Sequence, residues 1–173
     1  MKYITILFAL FSIAVSNVCV AEIEGFKKIK FGMGKPELES LGFQCEKLSC
    51  SSIDLDREGY VREGVTIFER PVEGIVANLN ADNLTYQIVV GVNARDFSTI
   101  LEVMQNTFGK PKSVEKIDRG KNSKQSGFYR FRWLVGSTYL TAINGANRNL
   151  HAVVFEDPML SPVMQALKPS KDF

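Results

Sequence analysis

Apolar residues recur at helical spacing between residues 96 and 108. Phe97, Ile100, Leu101, Met104 and Phe108 share one face; Ser98, Glu102, Gln105 and Asn106 take the other. The pattern predicts an amphipathic helix over Asp96 to Phe108. Asn93 or Asp96 can cap its start, Gly109 supplies the exit and Pro111 blocks continuation. A shorter helix is predicted at Pro36 to Leu41, because proline suits a first turn whose N–H groups need no partner. Gly42 ends it, and Phe43 can pack back on Leu38. Strands are predicted at Val65 to Arg70, Gly74 to Leu79, Leu84 to Val92, Gly127 to Val135, Tyr139 to Ile143 and Leu150 to Glu156, all rich in β-branched and aromatic residues. Asn80-Ala81-Asp82-Asn83 and Asn144-Gly145-Ala146-Asn147 read as hairpin tips. One further helical turn is predicted near Pro162 to Leu167.

These elements define an α+β fold with helices packed on an antiparallel sheet. They also repeat. A helix ending in glycine precedes strands and a hairpin with an Asn-rich tip. The tips at Asn80 and Asn144 lie 64 residues apart, and the helix-ending Gly42 and Gly109 lie 67 apart. Similar offsets predict two tandem helix-plus-sheet units, residues 22–92 and 93–160, with a tail at 161–173. Asn and Gly are also what any hairpin tip uses, so coincidence is the competing reading.

The first 21 residues have another pattern. Met1-Lys2 is a basic start, Tyr3 to Val15 is almost unbroken apolar sequence, and Ser16 to Ala21 is a small, polar exit. This is the anatomy of a secretory signal peptide, with cleavage expected after Ala21. The apolar run is shorter than the roughly 20 residues a membrane span needs. Lipidation at Cys19 is the alternative. It would want a small residue at Val18 and leucine at Ser16, so ordinary cleavage is favoured. Removing the leader leaves 152 residues, with 20 basic against 19 acidic side chains. A net charge of +1 argues against a general nucleic-acid binder. No second long apolar segment follows, so no transmembrane span is expected after the signal.

Cys45 and Cys50 remain in the mature chain. In an oxidising compartment, two cysteines this close read as a local disulfide. A redox pair usually has two intervening residues rather than four. A zinc site needs more ligands than the single histidine, His151, and these cysteines supply.

Phe31-Gly32-Met33-Gly34-Lys35-Pro36-Glu37-Leu38, followed by Leu41-Gly42, resembles the Gly-Met helix start of small bacterial envelope proteins. These are the barrel-assembly lipoproteins of the SmpA/OmlA type and the beta-lactamase inhibitory proteins. The family usually has Ser or Thr where this chain has Gly34. The second unit has Ala94-Arg95-Asp96-Phe97 in place of the Gly-Met pair. The resemblance implies helices on one face of an antiparallel sheet, two such units in tandem, and function by binding.

No phosphate cradle, paired zinc ligands or nucleophile elbow occurs. His151 has a side chain suited to general-base work, but it alternates with apolar positions on a predicted strand. The carboxylate pairs Glu37/Glu39 and Asp54/Asp56 read as surface charge. The stretch from Lys110 to Leu134 is more suggestive. It carries eight basic residues against Glu115 and Asp118, and its strand alternates Tyr129, Phe131 and Trp133 with Arg130 and Arg132. On a strand the aromatics share one face and the arginines the other. One reading buries the aromatics under the helix and leaves the arginines in water. The other makes Lys121, Lys124, Tyr129, Arg130, Phe131, Arg132 and Trp133 a docking surface, since aromatics and arginine carry binding hot spots and basic fields steer acidic partners.

The sequence thus predicts an exported, non-enzymatic binding protein of the bacterial envelope, without cofactor or metal. Its expected partner is another envelope or secreted protein with an anionic surface, and inhibition of a secreted enzyme is one form of that. The alternatives are an envelope assembly factor, lipid-anchored through Cys19, and a small hydrolase with a site built from scattered residues.

Overall fold

The longest helix forms where the apolar stripe predicts it. In the computed structural model, which describes residues 23–52, 65–117, 128–145 and 150–163, α2 spans Ala94–Phe108. The Asn93 side chain caps it, its Oδ1 accepting from the Arg95 N–H at 2.9 Å. Gly109 ends it at φ 77°. Phe97, Ile100 and Met104 are buried. The short helix α1 spans Lys35–Ser40 and buries Leu38. Phe43 N–H bonds back to the Leu38 carbonyl at 3.1 Å.

Among the described residues, eleven strands accompany the helices. In chain order these are β1 (Gly25–Phe26), β2 (Ile29–Lys30), β3 (Gln44–Glu46), β4 (Ser49–Ser52), β5 (Thr66–Ile67) and β6 (Arg70–Leu79). β7 (Thr85–Asn93), β8 (Ser113–Ile117), β9 (Phe128–Val135), β10 (Thr138–Asn144) and β11 (Leu150–Glu156) follow. β1 and β2 form a separate hairpin. The others make one antiparallel sheet, ordered β3-β4-β6-β7-β11-β10-β9-β8, with β5 paired to the start of β6. Both helices pack on the same face. The core between contains Ile75, Ile88, Val90, Leu140, Val153 and Trp133 from the sheet, with Leu38, Ile100 and Met104 from the helices. The β1–β2 hairpin joins this layer through Phe26, whose ring lies 5.4 Å from that of Phe155.

The Phe31–Leu38 motif is fixed by backbone bonds to the central sheet. Gly32 N–H donates to the Thr85 carbonyl, and Thr85 returns both its N–H and its hydroxyl to the Met33 carbonyl, each at 2.8 Å. Gly32 sits at φ 83°, which explains glycine there. Gly34 begins α1, and its N–H is taken by the Glu37 carboxylate at 2.7 Å.

Cys45 and Cys50 are bonded, and they face each other across the β3–β4 hairpin. The bridge therefore joins two strands that the sequence pattern does not predict. β8 is also unpredicted, because its alternation is obscured by Glu115 and Lys116. The predicted strand at Val65 to Arg70 needs correction. It is a hairpin, in which Phe68 and Glu69 turn the chain at φ 48° and 63°. The Phe68 ring rests edge-on against Phe108 at 6.5 Å, so packing holds an aromatic residue in a turn that normally takes Asn or Gly. Glu69 is exposed and has no such anchor. Glu69→Gly is expected to raise the unfolding free energy by up to about 1 kcal/mol by relieving the left-handed backbone. Phe68→Gly should lower it, because the ring contact goes too. Urea midpoints of the two variants check this. At the other end of the chain, Pro162 and Val163 are helical, and the rest of the predicted Pro162–Leu167 turn lies outside the described residues.

Candidate functional site

The strand registers align side chains into rows on the sheet face opposite the helices. Arg132, Thr141, Val154, Val89, Val76 and Ser51 form one row across six strands. On one side of it run Arg130, Ile143, Ala152, Gly91 and Gly74. On the other run Leu134, Tyr139, Glu156, Gln87, Asn78 and Ser49. The last row is partly laced. Ser49 Oγ bonds Asn78 Oδ1 at 3.2 Å, Asn78 Nδ2 donates to Gln87 Oε1 at 2.9 Å, and Gln87 Nε2 reaches Glu156 at 3.5 Å. The face is thus a small-residue and apolar stripe with a polar ladder along one border and two arginines at its β9 end.

The two arginines are held differently. Arg130 Nη1 lies 3.6 Å from Glu115 on the neighbouring strand, a partly exposed pair. Arg132 sits over the Tyr139 ring, 5.3 Å from its centroid. The buried Arg132 Nε has no hydrogen-bond acceptor among the described residues. Leaving a buried donor unpaired is costly. Arg132 is therefore a half-buried cation with an aromatic support and no carboxylate within ion-pair distance among the described residues.

The aromatics of β9 divide. Trp133 is only 2% exposed and donates its indole N–H to the Gly109 carbonyl at 2.8 Å, pinning the end of α2 to the sheet. It serves the core. Phe131 is half-buried against the same core. Tyr129 is 44% exposed, with its ring 6.4 Å from that of Phe131. The structure thus places Arg130 and Arg132 on the face opposite α1 and α2, and Tyr129, Phe131 and Trp133 on the face that bears these helices. Lys121 and Lys124 lie outside the described residues, as do Asp54 and Asp56. What the sequence reading misses is the apolar stripe beside the arginines, because its members come from four strands, β6, β7, β11 and β10, whose order no local pattern reveals.

His151 is engaged structurally. Its Nδ1 accepts the Gly145 N–H at 2.8 Å, and its ring stacks on Phe97 at 4.8 Å. Burial lowers its pKa below the ordinary imidazole value, and the Glu73 carboxylate opposes this more weakly. The folded chain therefore prefers neutral imidazole. This contribution to stability is complete above the ordinary imidazole pKa of about 6.5 and is lost as pH falls through the lowered folded value. His151→Asn should flatten the decline in unfolding free energy below neutral pH, measured by urea titration across that range. Glu37 is likewise occupied by the Gly34 N–H. Among the described residues, no group of His, Cys, Asp and Glu is placed to hold a metal ion, and no helix is long and apolar enough to cross a membrane.

No known family profile, curated protein or solved structure matches this chain.

Proposed function

We propose that this chain is an exported, non-enzymatic binding protein of the bacterial envelope, which docks an acidic partner protein on the sheet face opposite α1 and α2. The observation that carries this reading is the row from Arg132 through Thr141, Val154, Val89 and Val76, with Arg130 beside it. Apolar contact area next to two guanidinium groups suits a carboxylate-rich protein surface. Val76 and Val89, both half-buried, give contact area beside the already buried Thr141, Val154 and Ala152, and the arginines give orientation and a faster encounter. Inhibition of a secreted enzyme is one form this binding takes.

Export is supported by the leader-like first 21 residues and by the Cys45–Cys50 disulfide, a bond suited to oxidising compartments. Two tandem units are part of the proposal. Each would comprise one helix and four sheet strands, α1 with β3, β4, β6 and β7, then α2 with β8, β9, β10 and β11. The sheet order is symmetric about the β7–β11 seam, which supports a duplication, and the envelope-family resemblance of the Phe31–Leu38 motif fits the same reading.

The test begins with the exported chain itself. Intact mass should place the mature start at Glu22; a lipidated Cys19 would move the reading to an anchored assembly factor. The mature protein on a support should then retain a specific acidic protein from an envelope extract, and the Arg130→Glu, Arg132→Glu variant should not. Equal retention by both would reject the face.

A further inference from the structure

The sheet ends at β8, and this edge is left open in a selective way. β8 pairs with β9 on one side and is the last strand of the sheet order. Its outer N–H and C=O groups therefore face no other described strand, which makes the edge a template for an added strand. The strand and its approach carry Lys110, Lys112 and Lys116 against one acid, Glu115, and that carboxylate already lies beside Arg130. On its helix-bearing side, Val114 is 55% exposed next to Tyr129 and Phe131, beyond the cover of α2.

The charges favour a different partner over a second copy. Two copies pairing antiparallel about a two-fold normal to the sheet place residues equidistant from the centre opposite each other. A centre at Ser113 sets Lys110 against Lys116. A centre at Val114 sets Lys112 against Lys116. Centres at Glu115 and Lys116 set each of those residues against itself. Every register centred from Ser113 to Lys116 thus opposes one set of like charges, although those centred at Val114 and Glu115 also set Lys110 and Lys112 respectively against Asp118 by sequence, so charge disfavours a second copy without forbidding it. A strand bearing carboxylates finds the opposite, because the same lysines lie across from its acids.

We propose that the β8 edge accepts an extended acidic segment of a partner protein as an additional strand. Backbone pairing would hold it, Val114 and Tyr129 would contact its apolar side chains, and Lys110 and Lys112 would select its charge. This goes beyond docking on the Arg130–Arg132 face. It uses backbone groups at a separate border of the sheet, so either site can fail without the other.

The probe is a fluorescein-labelled heptapeptide, Thr-Glu-Val-Asp-Val-Glu-Thr, titrated into the mature protein by anisotropy. Saturable binding is expected. Methylating alternate backbone nitrogens, in either frame, leaves peptide charge intact; one frame should weaken binding by about tenfold or more. Lys110→Glu with Lys112→Glu, both exposed positions, should weaken it similarly at an unchanged thermal midpoint. Arg130→Glu with Arg132→Glu should leave more of the binding intact than the lysine pair does. No saturation up to about 1 mM would overturn the proposal. So would equal binding of both methylated peptides, which would mean charge attraction without strand addition. A dimer in sedimentation that Val114→Lys dissolves would assign the edge to a second copy instead.

Discussion

Ile100→Ala and Met104→Ala are each expected to lower the unfolding free energy by about 2–5 kcal/mol, the range for truncating a fully buried aliphatic side chain. Both side chains have no exposed surface. They sit on the α2 face turned to β7, β10 and β11, so the cavity left behind is lined by both halves of the sheet and has little room to relax. Leu101, one position round the helix, is only half-buried and should lose less. The ordering of these three, read from urea midpoints at constant slope, tests which face of α2 is the inner one.

Asn80→Ala should cost about 3 kcal/mol, from three part-buried hydrogen bonds each worth about 0.5–1.5 kcal/mol net. Asn80 is fully buried despite lying at a hairpin tip. Its Oδ1 accepts from the N–H groups of Asp82 and Leu84, each at 3.0 Å, and its Nδ2 donates to the Leu160 carbonyl at 3.0 Å. One side chain thus closes the β6–β7 turn and ties down the segment after β11. Asn80→Asp keeps both acceptor bonds and loses the donor to Leu160. It also sets a carboxylate oxygen against the Leu160 carbonyl in a fully buried site, so it should cost at least as much as Asn80→Ala and loosen the 158–161 segment first, visible as faster amide exchange there.

The elements that declare themselves in the sequence are those with a strong apolar pattern, one-sided in the helix and two-sided in the central strands. The α2 stripe at Phe97, Ile100 and Met104 is legible because only one face of the helix meets the core. β6, β7, β9, β10 and β11 are legible because β-branched and aromatic residues fill both faces of a central sheet. β3, β4 and β8 are edge or near-edge strands with polar and charged residues, and they gain stability from pairing and, at Cys45–Cys50, from a covalent bond. Phe68 illustrates a different limit. An aromatic residue in a run of apolar neighbours reads as strand, and only its contact with Phe108, forty residues away, explains the turn. The candidate site is half legible for a similar reason. Arg130 and Arg132 alternate with aromatics in plain view. The stripe of Val76, Val89 and Val154 beside them exists only once the strands are ordered.

The most direct measurement of the central proposal is the association rate of the captured partner with wild-type protein and with the Arg130→Glu, Arg132→Glu variant, each at low and near-physiological salt. Exposed charges are screened over about 8–10 Å near physiological ionic strength, so an arginine-steered encounter slows as salt rises. The account predicts a salt-dependent rate for wild type and a slower, nearly salt-independent rate for the variant; the variant's folding midpoint should fall, because it loses the Arg130–Glu115 pair and the Arg132–Tyr139 contact, so both rates are read well below either midpoint. A variant that associates at the wild-type rate at both salt concentrations would contradict it.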